Sequence, residues 1–346
     1  MERLKQWLVS GAVIAAYVVF FAIAIAKAQP FPTPGDPLGV PTTPAIDALG
    51  EEIYNERGLS GDGSVSCADC HQPERGNSDG LRRARGVRGR VGTINTPNNE
   101  MSSFSFRQFY NGRTDGLAAQ ALQPLVNQDE MANQSVRQVV NALRRHPYYS
   151  RRFAECYEQG CTEFTLAHCI AAWQRKLVTF DAPIDAYMSG DDSALSESAL
   201  RGLETFKQHC EACHAYPYLT TFEFANNGMA FRLGGRDRGR NGVLRQQDQR
   251  REYEGAIKIP TLRDVTRSAP YGHRGAWDTL ESVIAGYSES FVNSRGEVDR
   301  FQHELIKGGR PGARRFTPEQ EADLLELLRH FESTGWQYSG QRQKKL

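Results

Sequence analysis

The chain has 346 residues, with 42 Lys and Arg against 41 Asp and Glu, a formal net charge of +1. That balance gives no compositional signal for nucleic acid as a partner. Once the N-terminal segment is set aside, about 300 residues are left, enough for two domains.

Residues 1–28 have the layout of a signal peptide or an N-terminal membrane anchor. Glu2-Arg3-Leu4-Lys5 is a charged start, and Trp7 to Ala26 is almost wholly apolar. Ala26-Lys27-Ala28 fits a small-x-small cleavage site before Gln29. The apolar run is also about long enough to span a bilayer. Membrane contact is therefore expected only if this segment stays uncleaved. Either reading exports the remainder, so a periplasmic location is expected. Residues 29–45 form a Pro-rich linker, with six prolines between Pro30 and Pro44.

Ile46, Leu49 and Ile53 then recur at helical spacing. They precede Cys67-Ala68-Asp69-Cys70-His71. A second helical pattern, Leu200, Leu203 and Phe206, precedes Cys210-Glu211-Ala212-Cys213-His214. Cys-x-x-Cys-His is the attachment signature of a c-type haem: the thiols join the porphyrin and the histidine becomes the proximal iron ligand. A lone Cys-x-x-Cys can also be a redox pair or half of a zinc site. Here the pairs lie 210 − 67 = 143 positions apart, and His follows both times. Two covalent haems are expected.

Between the motifs, Val136, Val139, Val140 and Leu143 share one helical face. Cys156 and Cys161 are close enough in sequence to close a small disulfide loop in an oxidising compartment. Cys169 lies in the apolar run Leu166, Cys169, Ile170, Trp173 and reads as a buried thiol. Thr317-Pro318-Glu319-Gln320 is a capping box. It opens a helix with Leu324, Leu325, Leu328 and Phe331 inward that should end near Gly335. The fold class expected is mainly α, two cytochrome c-like haem domains with long irregular loops. They would span residues 46–190 and 191–338, divided at the polar turn Gly190-Asp191-Asp192-Ser193 and followed by a tail, 339–346.

The chain resembles the bacterial di-haem cytochrome c peroxidase and MauG family over roughly residues 46–336. The likeness rests on Asn95-Thr96-Pro97, Phe109-Tyr110-Asn111-Gly112-Arg113 and Leu125-Val126-Asn127-Gln128-Asp129-Glu130-Met131. Phe180-Asp181-Ala182-Pro183-Ile184-Asp185 carries it further. So do Pro260-Thr261-Leu262-Arg263-Asp264-Val265 and Ala269-Pro270-Tyr271-Gly272-His273-Arg274-Gly275. The resemblance implies that hydrogen peroxide reacts at the N-terminal haem, while the C-terminal haem stores or relays the second oxidising equivalent. It implies Glu130 as acid/base group and Gln120 as the amide that positions peroxide. A calcium ion would be held by Asn95 and the carbonyls of Ser268 and Pro270. Tyr110 stands where the family often has a tryptophan between the haems.

Tyr110 is one departure from the family pattern, and two more are informative. No histidine lies between His71 and Gln120, so the first haem should have an open face. Tyr287 stands where the relay haem usually finds a methionine, and MauG uses tyrosine there. Met229 and His303 are the other candidate ligands. These features favour MauG-like oxidation of a partner protein. The alternatives are a peroxidase fed by a small cytochrome or copper protein, and a non-catalytic electron carrier. Arg82, Arg83, Arg85, Arg88 and Arg90, with Arg232, Arg236, Arg238, Arg240 and Arg245, could pair with haem propionates, dock an acidic partner, or belong to solvated loops.

Overall fold

A computed structural model describes residues 41–226, 238–250, 253–288, 316–335 and 346. The targeting segment, most of the linker, Met229, Arg232, Arg236, His303 and nearly all of the tail lie outside the described residues. Among the described residues no helix is long and apolar enough to cross a membrane.

The chain is mainly helical. The first half contains α1 (Pro44–Asn55), the short turn α2 (Cys67–Cys70), α3 (Leu117–Val126), α4 (Val136–Arg145), α5 (Pro147–Cys156) and α6 (Glu163–Gln174). There follow α7 (Pro183–Met188), α8 (Glu197–His209), α9 (Leu280–Ser288) and α10 (Pro318–Arg329). Among the described residues, strands are confined to two antiparallel pairs. β1 (Arg107–Gln108) pairs with β2 (Thr114–Asp115), and β3 (Phe224–Ala225) with β4 (Ile257–Lys258).

Helix starts follow local chemistry. Thr43 accepts the Ile46 N–H ahead of Pro44, and Ser196 accepts that of Ala199. Thr317 and Gln320 close the expected capping box. α10 ends at Arg329, short of Gly335, where His330 turns the chain and Phe331 drops into the core.

Two hydrophobic clusters form. One is built on Leu49, Ile53, Leu143, Phe153, Leu166 and Ile170. The other is built on Ala199, Leu203, Phe206, Leu324, Leu327 and Phe331. α7 packs into the second through Ile184, although it precedes the polar turn at Gly190. Each cluster centres on a crossing of two helices at a glycine. On α1, a Cβ at Gly50 would lie 2.0 Å from Cys169 O of α6. On α8, a Cβ at Gly202 would lie 2.1 Å from Asp323 O of α10. The missing side chain lets the backbones meet, so the same construction precedes both Cys-x-x-Cys-His motifs.

Cys169 is fully buried, as its apolar run predicts. Cys156 and Cys161 are separate thiols here, not a disulfide. The Cys156 Sγ points to Ala45 O, while Cys161 sits in the first cluster.

Candidate haem clefts

The first motif opens on α2, where Ser66 and Asp69 form a capping box and Arg57 clamps Asp69 through two bonds of 2.9 and 2.6 Å. His71 follows, with Nδ1 3.0 Å from Asn77 O. In the second motif, His214 Nδ1 lies 3.1 Å from Leu219 O. A carbonyl at Nδ1 fixes the proton there and leaves Nε2 as the metal-binding nitrogen. Burial lowers the pKa of both imidazoles, His214 to about 4, which favours their neutral form.

Burial pushes the thiols of Cys67, Cys70 and Cys210 up to about 12. A reactive redox pair is shifted the other way. Among the described residues no cluster of three or more His, Cys, Asp or Glu could hold a metal ion. The donor set at each motif, two cysteines and one imidazole oriented by a carbonyl, fits a covalently held haem.

Cys67, Cys70, His71, Gln120, Glu130, Tyr110 and Asn95 line one cleft, with about 1430 Å³ of empty space including its open mouth. In the sequence these residues lie in four separate motifs and, for Gln120, outside any of them, and the fold brings them together. The second half of the chain completes the wall with Phe222, Lys258, Ile259, Pro260 and Thr261. Among the described residues that line the cleft, His71 is the one histidine.

Glu130 is placed by a compact turn. Pro124 lies near the end of α3, and the Asn127 Oδ1 accepts the Asp129 N–H at 3.0 Å. The Asn127 amide donates to Glu130 Oε1 at 2.6 Å, and Val87 N donates to Glu130 O at 2.8 Å. Gly86 permits this approach, since a Cβ there would lie 2.2 Å from Asp129 O. Burial raises the Glu130 pKa, opposed by Arg113 and the Asn127 bond. A raised pKa makes a carboxylate a better acceptor for a proton that it later returns. Arg113 lies flat over the Phe109 ring, 3.4 Å from its centroid. Gln120 Oε1 accepts from Gln174 Nε2 at 3.3 Å, which orients its amide.

Sequence reasoning gave no role to Arg113, Asn127, Gln174 or Lys258 in this cleft. Asn127 and Arg113 stood inside quoted motifs. Gln174 and Lys258 carried no local signal.

Around the second motif, Cys210 caps α8. Tyr287, on α9, is half-buried and packs against the second cluster. Asn95 N donates to His273 O at 2.9 Å, which brings Asn95 beside the loop that carries Ser268 and Pro270. Of the arginines, Arg82 pairs with Asp278 and Arg90 donates to Gln128 O. Arg85 lines the cleft. Arg238 meets Glu254, Arg245 lies 3.9 Å from Asp248, and Arg240 donates to Asn111 O.

Two helix-crossing lobes, each with Cys-x-x-Cys-His at a neutral imidazole, define a di-haem c-type protein. Residues 44–193 match the family described as di-haem cytochrome c peroxidase. The chain is 36% identical over 257 residues to the methylamine utilization protein MauG of Methylorubrum extorquens, covering 72% of this chain and 70% of that one. It is 35% identical over 255 residues to the cytochrome c peroxidase Ccp of Escherichia coli (strain K12), covering 72% of this chain but 54% of that relative's length. The crystal structure of a MauG-like protein associated with microbial copper homeostasis superposes with a TM-score of 0.75 at 26% identity, covering 88% of this chain and 94% of that one. The chain belongs to the di-haem cytochrome c peroxidase and MauG family.

Proposed function

We propose that the chain is a periplasmic di-haem peroxidase that takes hydrogen peroxide at the haem on Cys67, Cys70 and His71 and oxidises a partner protein in the manner of MauG. The observation that carries this reading is Glu130, buried in the same cleft as His71 with a raised pKa and an oriented neighbour in Asn127. The two haems together supply the two electrons that cleavage of the O–O bond requires. Glu130 takes the proton from the inner peroxide oxygen and returns it to the outer one. Gln120 orients the bound oxygens, and Arg113 offsets the negative charge that develops beside them.

Cys210, Cys213 and His214 would hold the second haem, which would keep or relay the other oxidising equivalent, and Tyr287 would offer its iron an oxygen donor. A hard oxygen donor favours higher iron oxidation states, which supports the MauG-like reading over simple electron uptake. Tyr110 lies in the first cleft with its backbone bonded to the second half, a place suited to a bridge between the haems. Calcium is assigned to Asn95 Oδ1 and the carbonyls of Ser268 and Pro270, hard oxygen donors of the kind calcium takes.

The deciding experiment adds peroxide to the diferric protein, follows the visible spectrum, and then supplies a reduced small cytochrome. A long-lived spectral change that ignores the cytochrome is expected. Rapid oxidation of the cytochrome only after half-reduction would make the chain a cytochrome-fed peroxidase. No change with peroxide would leave an electron carrier.

A further inference from the structure

Lys258 belongs to the second half of the chain, on β4, yet it lines the cleft around His71. Its backbone N–H donates to Tyr110 O at 2.6 Å. Its Nζ donates to Arg107 O at 3.0 Å and reaches Ser105 Oγ at 3.4 Å. An ammonium has three donors, and both of these partners are neutral.

Among the described residues no carboxylate pairs with Lys258. Burial is the one influence on its ammonium, and it pushes the pKa down to about 8. The two glutamates of the cleft wall are engaged elsewhere. Glu130 is held by Asn127, and Glu100 by Thr179 at 2.5 Å. A buried cation without an anion is costly, and among the described residues of the cleft wall no carboxylate reaches this ammonium.

The two-haem reading supplies one. A porphyrin attached at Cys67 and Cys70 brings two propionate carboxylates into the cleft that Lys258 lines. We propose that Lys258 holds a propionate of this first haem, and that its charge sets the reduction potential of that haem relative to the second. Arg107 O and Ser105 Oγ orient the ammonium, and the bond to Tyr110 O fixes the strand that carries it. Lys258 is thus a positioning and tuning residue contributed by one half of the chain to the haem of the other. A nearby positive charge favours the ferrous form, so its loss lowers the potential.

The test rests on the two-haem reading and separates its failure from that of the Lys258 assignment. Holoprotein carrying Lys258→Met, Lys258→Gln or Lys258→Arg is compared with wild type by covalent haem content and by potentiometric titration of both haems. In Lys258→Met and Lys258→Gln, one haem should show an about tenfold lower ratio of ferrous to ferric form at a fixed potential, about 59 mV for one electron. The other haem should shift less, and Lys258→Arg should stay near wild type. Unchanged potentials, equal shifts in both haems, or a Lys258→Arg shift as large as that of Lys258→Met would overturn the assignment. Lys258→Gln retains a donor for Arg107 O and carries the test if Lys258→Met does not fold. Fewer than two covalent haems in the wild type would instead overturn the reading on which it rests.

Discussion

Asn127 donates its side-chain amide to Glu130 Oε1 at 2.6 Å, while its own Oδ1 accepts the Asp129 N–H at 3.0 Å. One residue thus shapes the turn and stabilises the ionised form of the carboxyl that it carries. Removing the bond leaves burial less opposed and raises the Glu130 pKa further. Asn127→Ala should therefore move the acidic limb of the peroxide reaction to higher pH. Glu130→Gln should remove that limb and slow the reaction by about 10²- to 10⁴-fold. Stopped-flow rates against pH measure both, and an acidic limb that stays in place in Asn127→Ala would dissociate this turn from the chemistry.

Glu100 gives a stability test with a definite sign. Burial, aided by the neighbouring Asp264, pushes its carboxyl up to about 8. In the unfolded chain it ionises with the ordinary Glu value of about 4.3. Between those values the folded state binds more protons, so stability falls as pH rises across that window. The slope is about 1.4 kcal/mol per pH unit for one fully linked proton. The raised pKa of Asp264 acts in the same direction. Glu100→Gln should flatten the decline and raise the melting temperature at pH 8 while changing little at pH 4. A wild-type melting temperature that rises steadily from pH 5 to pH 8 would contradict this.

The pair Arg263–Asp185 is bidentate, at 2.8 and 2.7 Å, with side chains 1% and 2% exposed. It joins α7 to the loop after β4. Asp185→Asn leaves a buried guanidinium unpaired and should cost about 3–5 kcal/mol. Replacing both, with Asp185→Leu and Arg263→Met, should cost less than the two single changes summed. Urea denaturation of Asp185→Leu, Arg263→Met and the double variant reads the coupling.

Gly50 and Gly202 sit where backbones touch. Gly50→Ala places a methyl group against Cys169 O and should destabilise by about 1–3 kcal/mol, and Gly202→Ala should behave alike against Asp323 O. Gly242→Ala is the control, since its Cβ would meet only Arg238 Cβ at an ordinary 3.5 Å. Comparable melting temperatures for Gly50→Ala and Gly242→Ala would show that the helices can separate without cost.

The features legible in the sequence were those written within a few adjacent residues. The two Cys-x-x-Cys-His motifs, the capping box at Thr317 and the buried Cys169 each depend on neighbours no more than a turn away. The helices around Leu49, Val139, Leu203 and Leu324 followed from apolar period alone. What stayed hidden depends on contacts distant in sequence. Arg263 meets Asp185 78 positions away, and nothing near either residue signals the pairing. Lys258 is one ordinary lysine until β4 is laid beside Tyr110. Gly50 and Gly202 look like flaws in their helices until the crossing helix is placed over them. Cys156 and Cys161 are close along the chain, but α5 ends at the first and the second turns into the core, so nearness in sequence did not bring the sulfurs together. The helix after Thr317 stopped at Arg329 because tertiary packing of Phe331 prevailed over its local pattern.

The two halves are joined through main chain as well as side chains. Lys258 N binds Tyr110 O, Asn95 N binds His273 O, and the Asn98 amide binds Arg263 O. Electron tunnelling falls off exponentially with distance, so a di-haem protein is sensitive to any slack between its centres. Where peptide groups set the spacing, surface residues are free to diverge among relatives and adapt to different partners while the hop between the metals keeps its length.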